Sequence, residues 1–111
     1  MDSLSALIDS GATHSFIASR KSGPLAEYQK EFSYPFVTAT PSGVMYQLLY
    51  WYRDVPIRIH DRIMKADLIE LEMVDYDVIL GMDWLSTHHA IIDCRKKSVM
   101  FQNPGLGPLQ F

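Results

Sequence analysis

Apolar runs in this chain are short, and turn-forming residues cut each one off before a long helix could develop. Leu4 to Ile8 stops at Asp9-Ser10-Gly11, and Tyr76 to Leu80, apolar apart from Asp77, stops at Gly81. Such stops end strands in tight turns, because Asp and Ser bond their own backbone and Gly relaxes it. Ser15 to Ile17 is a further brief apolar run, followed by a polar stretch from Ala18 to Glu31. Tyr34 to Thr40 and Val44 to Tyr52 are rich in aromatic and β-branched residues and flank Pro41-Ser42-Gly43. That is a hairpin with a glycine free to take positive φ. Val55, Ile57 and Ile59 alternate with Pro56, Arg58 and His60, the pattern of a half-buried strand. His60-Asp61-Arg62 turns it into Ile63 to Leu71, with Met64, Ala66, Leu68 and Ile69 as candidate core residues. A last hairpin joins Ala90-Ile91-Ile92 to Ser98 to Phe101 across Arg95-Lys96-Lys97.

Two short helices complete the pattern. Ser22-Gly23-Pro24 reads as a helix start ahead of Leu25 to Tyr28, and Asp83 to His88 carries an apolar side from Met82, Trp84 and Leu85. Many short strands with one or two short helices predict a mainly β fold, a small closed or semi-closed β-barrel. One domain over residues 1–102 and a loose tail over 103–111 are expected, since Asn103 to Pro108 shows no periodicity.

Composition removes several function classes. The chain is 48% hydrophobic and 21% charged, which is globular rather than disordered. Ten Lys+Arg against thirteen Asp+Glu give a net charge of -3 without a long basic run, so nucleic acid is not an expected partner. Phe32 to Tyr52 carries no formal charge and is long enough to span a bilayer, but Pro35, Pro41, Ser42 and Gly43 would put a turn in the hydrocarbon. No membrane is expected. Met1-Asp2-Ser3 lacks the basic start of a signal peptide, and the single cysteine, Cys94, cannot form an internal disulfide. Both suit a cytoplasmic setting.

Other clusters have plain readings. His88, His89 and Cys94 match no zinc-finger spacing, so surface histidines, a buried thiol and no metal or other cofactor are expected. Asp75 and Asp77 flank Tyr76 in a loop leading into a strand, and Asp83 sits where a carboxylate satisfies the free N–H groups of a helix start. Tyr50-Trp51-Tyr52 suits hairpin packing better than base stacking, because no basic groove accompanies it.

Taken alone, Asp9-Ser10-Gly11 is a common turn. Together with the second motif it resembles the retropepsin family of aspartic proteases. Leu7-Ile8-Asp9-Ser10-Gly11-Ala12-Thr13-His14-Ser15-Phe16-Ile17 and Asp77-Val78-Ile79-Leu80-Gly81-Met82-Asp83-Trp84-Leu85 are similar, more closely, to the protease segment of Ty3/gypsy-type LTR retrotransposon polyproteins. The resemblance runs from about Ala6 to Phe101. It implies a retropepsin-like acid protease fold and an aspartic endopeptidase. Asp9 would be the catalytic aspartate, completed by Ser10 and Gly11, with the Ser10 hydroxyl locking the active-site loops across a dimer. Ala12 and Thr13 would border the substrate cleft, and Thr40, Pro41, Ser42, Gly43 and Val44 would form the flap tip over bound peptide. Ile79, Leu80 and Gly81 would support the catalytic strand from beneath and complete the substrate-binding set.

The chemistry implied needs two carboxylates sharing one proton, because like charges about 3 Å apart cannot both ionise. The chain holds one triplet, so the expectation is a homodimer in which each copy donates Asp9 to a shared site. Its substrate would be an extended segment of a Gag-Pol-type polyprotein, cut in the cytoplasm or within virus-like particles. The alternative is a domesticated or inactive copy, a dimeric peptide-binding or scaffolding module. The intact triplet favours the enzyme. Retroviral members carry acidic residues where Thr13 and His14 stand and an arginine where Met82 stands, so their ion pair is replaced here. Eight residues precede Asp9, so the N-terminal dimer strand is expected to be short or missing, with the hairpin from Ala90 to Phe101 taking its place. The retroviral-like domains of DNA-damage-inducible proteins share that arrangement.

Overall fold

The computed structural model describes residues 4–39, 45–59, 61–102 and 109–110. In chain order its strands are β1 (Ala6–Ile8), β2 (Ser15–Ala18), β3 (Gln29–Ala39), β4 (Met45–Val55), β5 (Arg58–Ile59), β6 (Arg62–Ile63), β7 (Ala66–Leu71) and β8 (Val78–Leu80). The helix α1 (Met82–Thr87) follows, then β9 (Ala90–Asp93), β10 (Ser98–Phe101) and β11 (Leu109–Gln110).

Among the described residues, six strands form one sheet in the order β1-β8-β2-β7-β4-β3. β8 lies between the two strands that flank the Asp9 turn, parallel to β1 and antiparallel to β2. β2 in turn runs parallel to β7, Phe16 opposite Ile69. The fold is mainly β, as expected. The sheet has β1 and β3 at its edges, so of the expected closed or semi-closed barrel, full closure is not seen among the described residues.

Alternation along the strands builds two apolar layers. Ile17, Leu68, Val78 and Leu80 join Val55, Met64, Trp84 and Phe101 in the main core. Their neighbours Phe16 and Ile69 form a smaller cluster with Leu71, against which Trp51 and Ile79 pack. Trp84 anchors α1: its ring meets Phe101 edge-on with centroids 5.2 Å apart, and its indole N–H donates to the Met64 carbonyl oxygen at 3.4 Å. The expected core residues Met64, Ala66, Leu68 and Ile69 are all buried.

Several elements differ from the sequence expectation. The helix expected after Ser22 is a 3-10 helix over Gly23–Tyr28, preceded by another at Ser19–Lys21. β3 begins at Gln29, inside the polar stretch, because Gln29, Lys30 and Glu31 pair with Tyr52, Trp51 and Tyr50 of β4. A partner strand recruits residues whose own propensity is low. The register then shifts between Glu31 and Phe36, where Pro35 offers no N–H to the ladder. The half-buried strand over Val55 to Ile59 is interrupted at Pro56 and Ile57. Asp54, at a bulge between β4 and β7, takes a φ of 54°, and its N–H donates to Asp67 Oδ1 at 2.9 Å. Leu109 and Gln110 of the expected loose tail pair with Phe101 and Met100, which ties that end to β10. Among the described residues, no helix is long and apolar enough to cross a membrane.

Candidate active site

Asp9 is delivered by the β1–β8 ladder. Leu7 and Ile8 run beside Ile79 and Leu80 in parallel register, and the Asp9 N–H continues the ladder by donating to the Leu80 carbonyl oxygen at 2.9 Å. The chain then turns on the carboxylate itself. The Gly11 N–H donates to Asp9 Oδ1 at 2.9 Å, and the Ala12 N–H donates to the Asp9 carbonyl oxygen at 3.2 Å. One carboxylate oxygen is thereby held by the loop that presents it, in the manner of an Asx turn. A Cβ on residue 11 would lie 3.2 Å from that oxygen, so glycine keeps the approach close. Asp9 and Ala12 are half-buried, while Ser10, Gly11 and Thr13 are exposed.

The second motif braces this loop. A Cβ on Gly81 would overlap the His14 carbonyl oxygen and lie 2.7 Å from that of Ala12, so only glycine fits. The Met82 N–H donates to the Ala12 carbonyl oxygen at 2.7 Å. Leu80 is buried in the main core and meets the site through its carbonyl oxygen, whereas Ile79 is half-buried in the smaller cluster. Thr13 Oγ1 and His14 Nδ1 lie 2.9 Å apart at the exposed side of the loop. The structure therefore brings Asp9, Ser10, Gly11, Ala12 and Thr13 together with Ile79, Leu80 and Gly81. The expected flap tip, Thr40 to Val44, lies outside the described residues.

Two further residues belong to this constellation. Ser15 is fully buried, and its hydroxyl donates to Asp83 Oδ1 at 2.7 Å while accepting the Gly81 N–H at 3.0 Å. The same Asp83 oxygen accepts the Trp84 N–H at 2.7 Å, which is the helix-start role expected of it. Sequence reasoning places Ser15 in a strand and Asp83 at a helix start, without connecting them. The available signal is a hydroxyl at the head of an otherwise apolar run, opposite an acid in the second motif.

Asp77 locks the start of the two site strands. It accepts the Ser5 N–H at 2.9 Å and Arg20 Nη1 at 2.6 Å, and Arg20 Nη2 reaches the carbonyl oxygens of Tyr76 and Val74 at 3.2 and 3.4 Å. The Ser5 hydrogen bond first, and then the Arg20 guanidinium, hold the Asp77 carboxyl below its ordinary range.

The histidine–cysteine cluster differs from the sequence expectation. His88 is buried rather than on the surface: its ring centroid lies 5.1 Å from that of Trp84, and Nε2 donates to the Lys65 carbonyl oxygen at 2.8 Å. Cys94 is exposed rather than buried. It sits in the turn between β9 and β10, where the N–H groups of Arg95 and Lys96 donate to Asp93 Oδ1. Among the described residues, no three His, Cys, Asp or Glu side chains gather as a metal site.

The fold is similar to the crystal structure of the retroviral protease-like domain of Ddi1 from Leishmania major, with a TM-score of 0.67 at 18% identity. That similarity covers 96% of this chain and 80% of the other. No curated protein matches the chain. The model of the family described as Retroviral aspartyl protease matches residues 2–105, which contain both the Asp-Ser-Gly turn and the glycine that braces it. With that span and that geometry agreeing, the chain belongs to the retroviral aspartyl protease family.

Proposed function

We propose that this chain is an aspartic endopeptidase that works as a homodimer, with Asp9 of each copy in one shared site. The observation that carries the reading is the half-buried Asp9 carboxylate, held at Oδ1 by the Gly11 N–H and seated on the Leu80 carbonyl oxygen through its own N–H. Such a carboxylate is positioned for chemistry, but one is not enough. An ionised Asp9 takes a proton from water as the water oxygen attacks the scissile carbonyl carbon. The protonated Asp9 of the second copy hydrogen-bonds the carbonyl oxygen and stabilises the tetrahedral intermediate. Proton transfer to the amide nitrogen then breaks the C–N bond.

The surface we propose for the second copy is the C-terminal hairpin. Among the described residues β9 is the edge of the sheet β11-β10-β9, and it exposes Ile91 by 50% and Ile92 by 39%. An apolar sheet edge of this kind favours pairing with another strand. The substrate we propose is an extended segment of a retrotransposon Gag-Pol-type polyprotein, in keeping with Thr13, His14 and Met82 in the two motifs. A second reading, a domesticated dimeric module that binds peptide, draws on the likeness of fold to the protease-like domain of Ddi1.

The deciding experiment measures peptide cleavage and sedimentation of the purified chain with and without a statine-type inhibitor. Cleavage that peaks at mildly acidic pH, together with inhibitor-driven dimerisation, is the expected result. A chain that dimerises and binds the inhibitor without cutting any peptide would favour the domesticated module instead.

A further inference from the structure

Behind the loop that presents Asp9, a charged group is tied to a fully buried hydroxyl. Ser15 is 0% exposed, and its single proton goes to Asp83 Oδ1 at 2.7 Å. A hydroxyl that donates in one direction turns its lone pairs elsewhere, and here one of them receives the Gly81 N–H at 3.0 Å. Asp83 therefore sets the orientation of Ser15, and Ser15 holds Gly81. Gly81 sits against the carbonyl oxygens of Ala12 and His14, and the neighbouring amide of Met82 bonds the Ala12 carbonyl oxygen at 2.7 Å. Ala12 closes the turn by donating its N–H to the Asp9 carbonyl oxygen. The path from Asp83 to Asp9 is thus continuous through hydrogen bonds and close packing.

We infer that Asp83 is a positioning residue for Asp9, acting through the buried Ser15 hydroxyl and Gly81. The inference rests on the protease reading above and adds a residue to it. The Trp84 N–H needs only an acceptor, so that bond by itself does not require a side chain that also reaches Ser15. An acceptor for Ser15 matters because the serine is fully buried, and a buried hydroxyl left without a partner costs its full desolvation. Loosening this bond lets the 12–14 segment shift relative to Gly81, and small displacements of a reacting group are costly in rate.

The test compares Asp83→Ala, Asp83→Asn and Ser15→Ala with the parent chain in steady-state cleavage, with the folded fraction and the dimer measured in parallel. Asp83→Ala and Ser15→Ala are expected to lower kcat by about 10- to 100-fold while KM stays within about threefold. Asp83→Asn should recover to within about threefold of the parent, because its Oδ1 accepts from Ser15 and Trp84 as the carboxylate does. Amide hydrogen exchange gives a readout independent of activity: Ser15→Ala should speed exchange at Gly81 and at residues 9–12 more than in β7. If the parent cleaves peptide and Asp83→Ala keeps its kcat per folded dimer, the inference is overturned. Unchanged exchange in Ser15→Ala overturns it too, including in a variant too unstable for kinetics. A parent that cleaves nothing but shows the expected exchange pattern removes the protease reading alone.

Discussion

Gly81 lies so close to the Asp9 loop that a Cβ on it would come within 2.7 Å of the Ala12 carbonyl oxygen. The contact is with backbone, which cannot rotate away as a side chain would. Gly81→Ala is therefore expected to destabilise the chain by at least about 1–3 kcal/mol, through a forced shift of one loop against the other. Urea midpoints of the two proteins check it. An unchanged midpoint would mean that the two loops are free to separate.

Replacing the proposed catalytic group should leave the fold alone. In Asp9→Asn the amide oxygen can still accept the Gly11 N–H, so the turn survives. Cleavage should drop by about 10²–10⁴-fold with the unfolding midpoint and the dimer retained. Turnover near the parent rate in this variant would end the assignment of Asp9.

Dimerisation through β9 predicts that a charge on its exposed edge weakens association. Ile91 is exposed in a single copy, so Ile91→Lys costs the monomer little. Association should weaken by about ten- to thirtyfold, and specific activity should fall off at higher chain concentration than in the parent. Sedimentation profiles identical to the parent's would place the interface elsewhere.

Asp77 gives a pH-dependent prediction. Its carboxyl is lowered by the Ser5 N–H and then by Arg20, so the ionised form stabilises the folded state. That contribution is complete above the unfolded value of about 3.9 and disappears as the pH falls through the lowered folded value. The stability gap between the parent and Asp77→Asn should be level from about pH 7 to pH 5 and narrow below about pH 4. Urea midpoints at stepped pH measure the gap. A gap that holds its size into strong acid would show that the ionised carboxylate contributes nothing.

Much of the fold is legible in the residue pattern where the physics is local. Alternation at Val78, Ile79 and Leu80 separates two apolar layers, and the stops at Gly11 and Gly81 mark the turns at which the site is built. The polar start of β3 is not legible. Gln29, Lys30 and Glu31 become a strand only because Tyr50, Trp51 and Tyr52 lie beside them. The same holds for Cys94, left exposed in the turn after Asp93, and for His88, buried against the ring of Trp84, neither of which follows from the residue's own polarity.

By itself the sequence determined the two motifs, the apolar faces and the carboxylate that stands at the end of the first strand. Each is a property of neighbouring residues and their turn chemistry. Only the tertiary structure decided that β8 runs between β1 and β2, that Gly81 meets Ala12, and that Ser15 reaches Asp83. Those relations join residues far apart in the chain, and periodicity carries no information about which strand lies beside which.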